Sequence, residues 1–268
     1  MNTLSYEEIK NFLSEKEKNF YRLNNVEDIK KMLDELQNDN RKSYKQLANK
    51  ASKIINKYES ELLRVNGMYN FDRQYGSNIL IAGVDEVGRG PFAGPIVAAA
   101  VILNLKCDNS DIILGINDSK KLNRNLRNEL SKIIKEKAVS YSISEIDNHT
   151  IDKKGIGWSN NEVFRLSCQN LSVKPDLVLS DGYPIRNFNI KNEFIVKGDT
   201  KSASIACASI IAKVYRDNLM IEYAKKYPNY DFEHNVGYGT KEHIAAIKTY
   251  GITDIHRRSF LKNIYREK

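Results

Sequence analysis

The sequence predicts an α/β domain built on a mixed sheet, with a helical segment in front of it. Three observations carry that prediction. From residue 79 onward, short apolar runs fit for strands alternate with longer stretches of helical periodicity. Residues 1–75 instead place apolar residues only at helical spacing. The chain has 268 residues, 41% of them hydrophobic and 28% charged, which is enough apolar material for a sizeable core.

The elements follow in order. Ile9, Phe12 and Leu13 form one helical set. Ile29, Met32, Leu33 and Leu36 form a second, and Leu47, Ala51, Ile54, Ile55, Tyr58, Leu62 and Leu63 a third. Ser5 followed by Glu8 has the form of a capping box. Gly67 and the stretch 70–78 suggest a linker, so residues 1–76 form a helical extension and 77–268 the main domain. Strands are expected in the apolar run 79–84, in 95–103, in the alternating segment 139–146, in 176–180 and in 193–197. Helices are expected over about 123–137, 150–171, 201–226 and 240–250, the last giving a helical C-terminal region. No internal repeat or low-complexity tract is visible.

Composition narrows the function. The apolar run 95–103 is too short to cross a bilayer, so no membrane role is expected. The first residues lack a basic region followed by an apolar stretch, so no signal peptide is expected. Cys107, Cys168 and Cys207 are far apart and odd in number, which disfavours a disulfide framework or a thiolate zinc site. A reducing cytoplasm is the simplest compartment. Forty-two Lys and Arg oppose 34 Asp and Glu, a net charge of +8. Residues 1–76 hold 14 basic and 12 acidic residues, so most of the excess lies beyond them. A basic surplus there suits a polyanionic partner such as nucleic acid.

Acidic residues sit where the expected strands end. Asp85 and Glu86 follow the first, Asp181 the fourth and Asp199 the fifth. Neighbouring strands would bring these carboxylates together, where they repel one another at neutral pH. A divalent cation relieves that repulsion, and an all-oxygen donor set suits Mg²⁺ or Mn²⁺. Turn or capping acids would look the same, and the residues alone leave both open. Gly88-Arg89-Gly90-Pro91 matches neither nucleotide-binding glycine motif. Its glycines let backbone N–H groups approach a ligand, and Arg89 can serve phosphate as a bidentate donor. A tight turn with a solvated arginine fits equally well. His149, His234, His243 and His256 lack zinc-site spacing, Cys207 suits a packed helix, and Trp158 stands alone.

These motifs resemble a known family. The run from Gly83 to Val101, containing Asp85-Glu86-Val-Gly88-Arg89-Gly90-Pro, closely resembles the opening motif of bacterial type 2 ribonuclease H, ribonuclease HII. Asn117-Asp-Ser-Lys-Lys-Leu, Leu179-Ser-Asp-Gly, the segment from Lys197 to Asp217, Gly237-Tyr-Gly-Thr-Lys-Glu-His and His256-Arg-Arg-Ser-Phe continue the resemblance in order over 79–260.

The resemblance implies a ribonuclease H-like fold, a central mixed five-stranded sheet flanked by helices. It implies an endonuclease that hydrolyses the RNA strand of RNA–DNA hybrids. The same enzyme would incise 5′ to ribonucleotides in duplex DNA, leaving a 3′-hydroxyl and a 5′-phosphate. By the family's motifs, Asp85, Glu86, Asp181 and Asp199 hold two divalent cations, Mn²⁺ or Mg²⁺. Asp85 would bridge them, Asp199 would serve the water-activating ion, and Glu86 and Asp181 the other. Gly88, Arg89 and Gly90 inherit the reading of the 2′-hydroxyl, and Tyr238 the packing on the adjoining deoxyribose. Lys120, Lys121, Lys197 and Lys201 are candidates for backbone phosphate. Lys213, Arg216 and Asp217 suit a structural salt bridge as well as a substrate contact. Phe92, where leucine is common, is an apolar swap. Arg89 and Asp199 favour this family over ribonuclease HIII, whose N-terminal domain is β-rich. Four intact acids disfavour a non-catalytic hybrid-binding protein on the same fold. The tail 263–268 shows no firm clamp-binding motif, and a monomer is the default expectation.

Overall fold

The computed structural model describes residues 5–76 and 78–262. Helix α1 (Tyr6–Lys18) opens on the expected capping box: Ser5 Oγ accepts from Glu8 N–H and the Glu8 carboxylate accepts from Ser5 N–H. Helices α2 (Glu27–Gln37) and α3 (Lys42–Arg73) follow. Ile9, Leu13, Ile29, Met32, Leu36, Leu47, Ala51, Ile54 and Tyr58 are buried where the three meet. Leu63 departs from the expected stripe and is 77% exposed on the outer face of α3.

The linker expected over 70–78 is largely helix. Helix α3 runs through Gly67 to Arg73, with Val65, Met68 and Tyr69 buried. Asp72, fully buried, accepts hydrogen bonds from Ser204 N–H (2.9 Å) and Ser204 Oγ (2.7 Å). These tertiary contacts override the weak helix propensity of Gly, Asn and Asp in that stretch. Ser77 lies outside the described residues.

The sheet has five strands in the order β3-β2-β1-β4-β5. They are β1 (Ile81–Val87), β2 (Ile96–Ile102), β3 (Ser140–Ile146), β4 (Leu177–Asp181) and β5 (Lys191–Ile195). β2 runs antiparallel to both β1 and β3, and β1, β4 and β5 run parallel. This is the mixed five-stranded sheet expected. Strand β5 starts earlier than the sequence suggests and lies at the edge, with Phe194 50% exposed.

Helices pack on both faces. α4 (Arg124–Lys137) and α7 (Ala203–Lys226) join one core with Val97, Ala99 and Val101, while α6 (Ile156–Gln169) covers Ala82, Val84 and Ala98 on the other face. The single helix expected over 150–171 is two, α5 (Asn148–Lys154) and α6. The break falls at Gly155, whose φ of +84° with an extended ψ is a conformation that glycine adopts without steric cost. Helices α8 (Phe232–Asn235) and α9 (Lys241–Tyr250) build a smaller core from Met220, Tyr230, Phe232 and Ile247. No helix among the described residues is long and apolar enough to cross a membrane.

The tightest contact is α7 on β1. A Cβ on Gly83 would lie 2.1 Å from the Ser204 carbonyl carbon and 2.2 Å from Ile205 N. Both atoms are backbone, so neither can step aside. The first three turns of α7 are correspondingly small, with Ala203, Ser204, Ala206, Cys207 and Ala208 all fully buried. Gly83→Ala is therefore expected to cost about 3 kcal/mol or more by forcing helix and strand apart. An unchanged denaturant midpoint for the metal-free variant would contradict this packing.

Candidate active site

Asp85 and Glu86 do not follow β1 but belong to it; the strand runs on to Val87. Asp85 sits opposite Ala99 of β2 and is 7% exposed. The parallel register sets Val84 opposite Ser180, so Asp85 and Asp181 are the next neighbours at the strand ends. Asp181 closes β4 and its Oδ1 accepts from Gly198 N–H at 2.6 Å. That bond draws in the short turn Gly198–Thr200, which carries Asp199 into the N-terminus of α7. Lys197, held at φ +56°, reverses the chain just before it.

The electrostatics link the acids through Asp181, whose charge acts on Asp85, Glu86 and Asp199. Burial, then Glu86 and Asp181, hold the Asp85 carboxyl well above its usual range. Burial pushes Glu86 up to about 7, although Arg89 pulls the other way and its Nη1 stands 3.7 Å from Glu86 Oε1. Asp181 is raised chiefly by burial. Asp199 is raised to about 6 by burial, then by Asp181 and Asp118. As the side chains stand, no three His, Cys, Asp or Glu among the described residues close on one point like a finished metal cage. The arrangement is an open facing of acids.

Lys120 is the lysine brought into this cluster; its charge opposes the rise at Glu86, Asp181 and Asp199. Lys121, next to it in sequence, is exposed, as are Lys197 and Lys201 on either side of the Gly198–Thr200 turn. Asp118 is the residue that sequence reasoning missed. It faces Asp199 and Asp181, and its Oδ1 accepts from Lys120 N–H at 2.9 Å. It lies in the quoted Asn117–Leu122 segment, where the lysines drew the attention. Ser209 of α7 bonds Asp85 and stands 3.0 Å from Ser119 Oγ, tying that segment to β1.

Beside the acids, the Gly88-Arg89-Gly90 turn is held from beneath by two fully buried arginines. Arg257 donates to the carbonyls of Gly88 (2.6 Å), Arg89 (3.0 Å) and Gly94 (2.9 Å). Arg216 donates to Pro95 (3.0 Å), Ala93 (3.1 Å) and Val236 (2.9 Å). Burial lowers both, Arg216 to about 10 and Arg257 to about 9, yet both stay charged near neutrality. With the carbonyls taken from below, the N–H groups of residues 88–90 donate to no protein atom among the described residues. The Arg89 guanidinium lies 4.4 Å from the Tyr183 ring centre. Asp217 pairs with Lys213 (2.8 Å) and Arg127 (3.4 Å), which settles the salt-bridge reading for that pair but not for Arg216.

Tyr238 is 41% exposed, and its ring would lie 3.7 Å from a Cβ on Gly90. Thus the structure brings the predicted turn and the predicted aromatic together. A buried relay fixes Tyr238 from behind. Thr253 N–H donates to His256 Nδ1, so His256 donates from Nε2 to His243 Nε2 (3.0 Å), and His243 Nδ1 donates to the Tyr238 carbonyl (2.8 Å). Burial lowers both imidazoles, His256 to about 4, so the pair is neutral at physiological pH. Cys207 is a buried free thiol, as its core reading expects, Cys168 is buried and free as well, and the Phe92 ring covers Gly239.

Comparison with known proteins decides the family. The sequence profile described as Ribonuclease HII matches residues 82–263, and the one described as Ribonuclease HII N-terminal domain matches 7–76. The chain belongs to the ribonuclease HII family. It is 59% identical over 264 residues to a Ribonuclease HII of Clostridium perfringens strain 13, covering 98% of this chain and 96% of that one. A Ribonuclease HII of Clostridium botulinum strain Loch Maree is 56% identical, with 98% of both chains covered. The crystal structure of the ribonuclease H2 from Pyrococcus horikoshii OT3 superposes with a TM-score of 0.61 at 26% identity. It covers 71% of this chain and 100% of that one. Membership in the ribonuclease HII family makes this protein an enzyme, a ribonuclease H endonuclease. The helical residues 5–73 also differ from the β-rich N-terminal domain expected of ribonuclease HIII.

The donor chemistry of this ribonuclease HII site fits divalent cations: oxygen ligands only, each held above its ordinary pKa, in a low-dielectric surround. Without metal, each carboxyl takes a proton more readily folded than unfolded. Its contribution to stability is therefore full below the ordinary carboxylate range and is lost as pH rises through about 6 to 7. Asp85→Asn removes the most buried of these charges. It should raise the metal-free stability at neutral pH by on the order of 1 kcal/mol, seen as a higher Tm that falls less steeply with pH. A Tm below wild type across that range would contradict the repulsion.

Proposed function

We propose that this protein hydrolyses the RNA strand of RNA–DNA hybrids and incises 5′ to ribonucleotides embedded in duplex DNA. The products would carry a 3′-hydroxyl and a 5′-phosphate, and the role would be ribonucleotide removal from DNA during replication and repair. The observation that carries this reading is the juxtaposition of four raised carboxylates with a turn whose free N–H groups lie beside an exposed tyrosine. One half of that arrangement suits phosphodiester hydrolysis. The other suits a sugar hydroxyl, the group that separates RNA from DNA.

Asp85, Glu86, Asp181 and Asp199 would hold two Mg²⁺ or Mn²⁺ ions, with Asp85 shared between them. Bound there, the ions supply a water nucleophile at neutral pH and charge stabilisation for the leaving oxygen. The protein's own contribution is to keep the four carboxylates fixed and desolvated. Gly88, Arg89 and Gly90 would donate to the ribose 2′-hydroxyl, with the carbonyls of Gly88 and Arg89 already engaged by Arg257. Tyr238 would pack on the deoxyribose of the following nucleotide and so favour RNA–DNA junctions. Lys120, Lys121, Lys197 and Lys201 would contact backbone phosphate without reading sequence. Residues 1–76 form a helical module and 77–268 the catalytic domain, acting as a monomer in the cytoplasm. The clamp question turns on residues 263–268, which lie outside the described residues.

Three labelled duplexes test the reading: all-DNA, DNA with one ribonucleotide, and a long RNA–DNA hybrid, each with Mg²⁺ or Mn²⁺. A single cut 5′ to the lone ribonucleotide, with all-DNA intact, is the expected result. Cleavage of the hybrid alone would move the specificity toward that of ribonuclease HIII, and cleavage of all-DNA would remove the 2′-hydroxyl role. Tyr238→Ala should lower the junction-to-hybrid rate ratio by about tenfold, the worth of a lost base- or sugar-packing aromatic. A ratio equal to wild type removes Tyr238 from that role.

A further inference from the structure

We propose that Glu61 and Arg64, on α3 of the N-terminal module, are positioning residues for the active site because they hold the loop that presents Lys120. This rests on the ribonuclease reading above and assigns the module a part in the chemical step.

The two side chains grip one short stretch of backbone. Glu61 Oε1 accepts from Gly115 N–H at 2.8 Å, and Arg64 Nη2 donates to the Ile116 carbonyl at 2.8 Å. They also bind each other, with Arg64 Nη2 2.6 Å from Glu61 Oε1 and Arg64 Nε 2.9 Å from Glu61 Oε2. The fork therefore engages a carboxylate and a carbonyl at once, and neither residue can swing away without releasing the other. Gly115 is shaped for this seat: its φ is +84°, and a Cβ there would lie 2.6 Å from the Tyr21 ring, also from the N-terminal module.

From this anchor the chain has little freedom before it reaches the acids. Asn117 Oδ1 accepts from Asp118 N–H (2.9 Å), and Asp118 Oδ1 accepts from Lys120 N–H (2.9 Å). The Ser119 carbonyl accepts from Arg127 Nη1 (3.1 Å), and the Ser119 hydroxyl meets Ser209, which bonds Asp85. The charge of Lys120 acts on Glu86, Asp181 and Asp199 alike. Anchoring at 115–116 thus sets where that charge stands. Stability alone would be served by the apolar contacts of Val65, Met68 and Tyr69 in the same helix. The polar grip on two backbone groups adds direction rather than burial.

The test uses the full chain and single-turnover cleavage of the one-ribonucleotide duplex, with duplex affinity measured separately. Glu61→Ala should slow cleavage by about tenfold, as a misplaced group does, with a smaller loss of duplex affinity and the folded circular dichroism spectrum retained. Glu61→Gln should recover most of the rate, because its amide oxygen still accepts from Gly115. The double variant Glu61→Ala, Lys120→Ala should be no slower than Lys120→Ala alone, since both act through one cation. If Glu61→Ala cleaves at the wild-type rate, or if the two losses multiply, the positioning role is overturned. Should Glu61→Ala fail to fold, Arg64→Lys carries the same comparison with Lys120→Ala. A wild-type chain that cuts none of the three duplexes would instead overturn the ribonuclease reading, which separates the two failures.

Discussion

The close seat of α7 on β1 is the constraint on which the rest depends. A glycine at position 83 lets a helix backbone approach a strand backbone to a distance no side chain permits. Because α7 lies there, the short turn that leads into it brings Asp199 beside Asp181, its second turn puts Ser209 against Asp85, and its middle sends Arg216 under the Gly88-Arg89-Gly90 turn. Asp72 then bonds the first turn from α3, where a carboxylate also suits the helix dipole. One packing contact thus places three of the site's components, and the module in front of the domain braces it.

The site is built against its own electrostatics. Four carboxylates are held partly out of water and near one another, a state that costs folding energy at neutral pH unless cations arrive. Next to them, two buried guanidiniums without bonded carboxylates are held by six carbonyls. The negative part can bind cations and the positive part can support a hydroxyl or phosphate. The polarity of the site follows from which backbone groups the arginines occupy, not from Arg89 alone.

Much of this was legible in the sequence because it is local. Strand periodicity placed Asp85, Glu86, Asp181 and Asp199 near strand ends and the glycines marked a tight turn, while the roles of these residues came from the family resemblance. What escaped was made of contacts between distant segments. Asp118 looks like a turn acid until Asp199 faces it. Arg216 and Arg257 look like surface or salt-bridge cations, because their partners are carbonyls more than 100 residues away for five of the six bonds. His243 and His256 have no motif spacing, yet they form one hydrogen-bonded relay behind Tyr238. The supposed linker at 70–78 shows the same effect in secondary structure, since burial of Tyr69 and Asp72 keeps α3 helical there.

The central claim is that these four carboxylates are held together to take divalent cations. Calorimetric titration of the intact protein with Mn²⁺, in the absence of nucleic acid, tests it most directly. Saturable binding to the wild-type chain, lost or strongly weakened in Asp85→Asn and Asp181→Asn while Lys121→Ala binds as before, is the predicted result. Equal Mn²⁺ binding by wild type and both acid variants would contradict it.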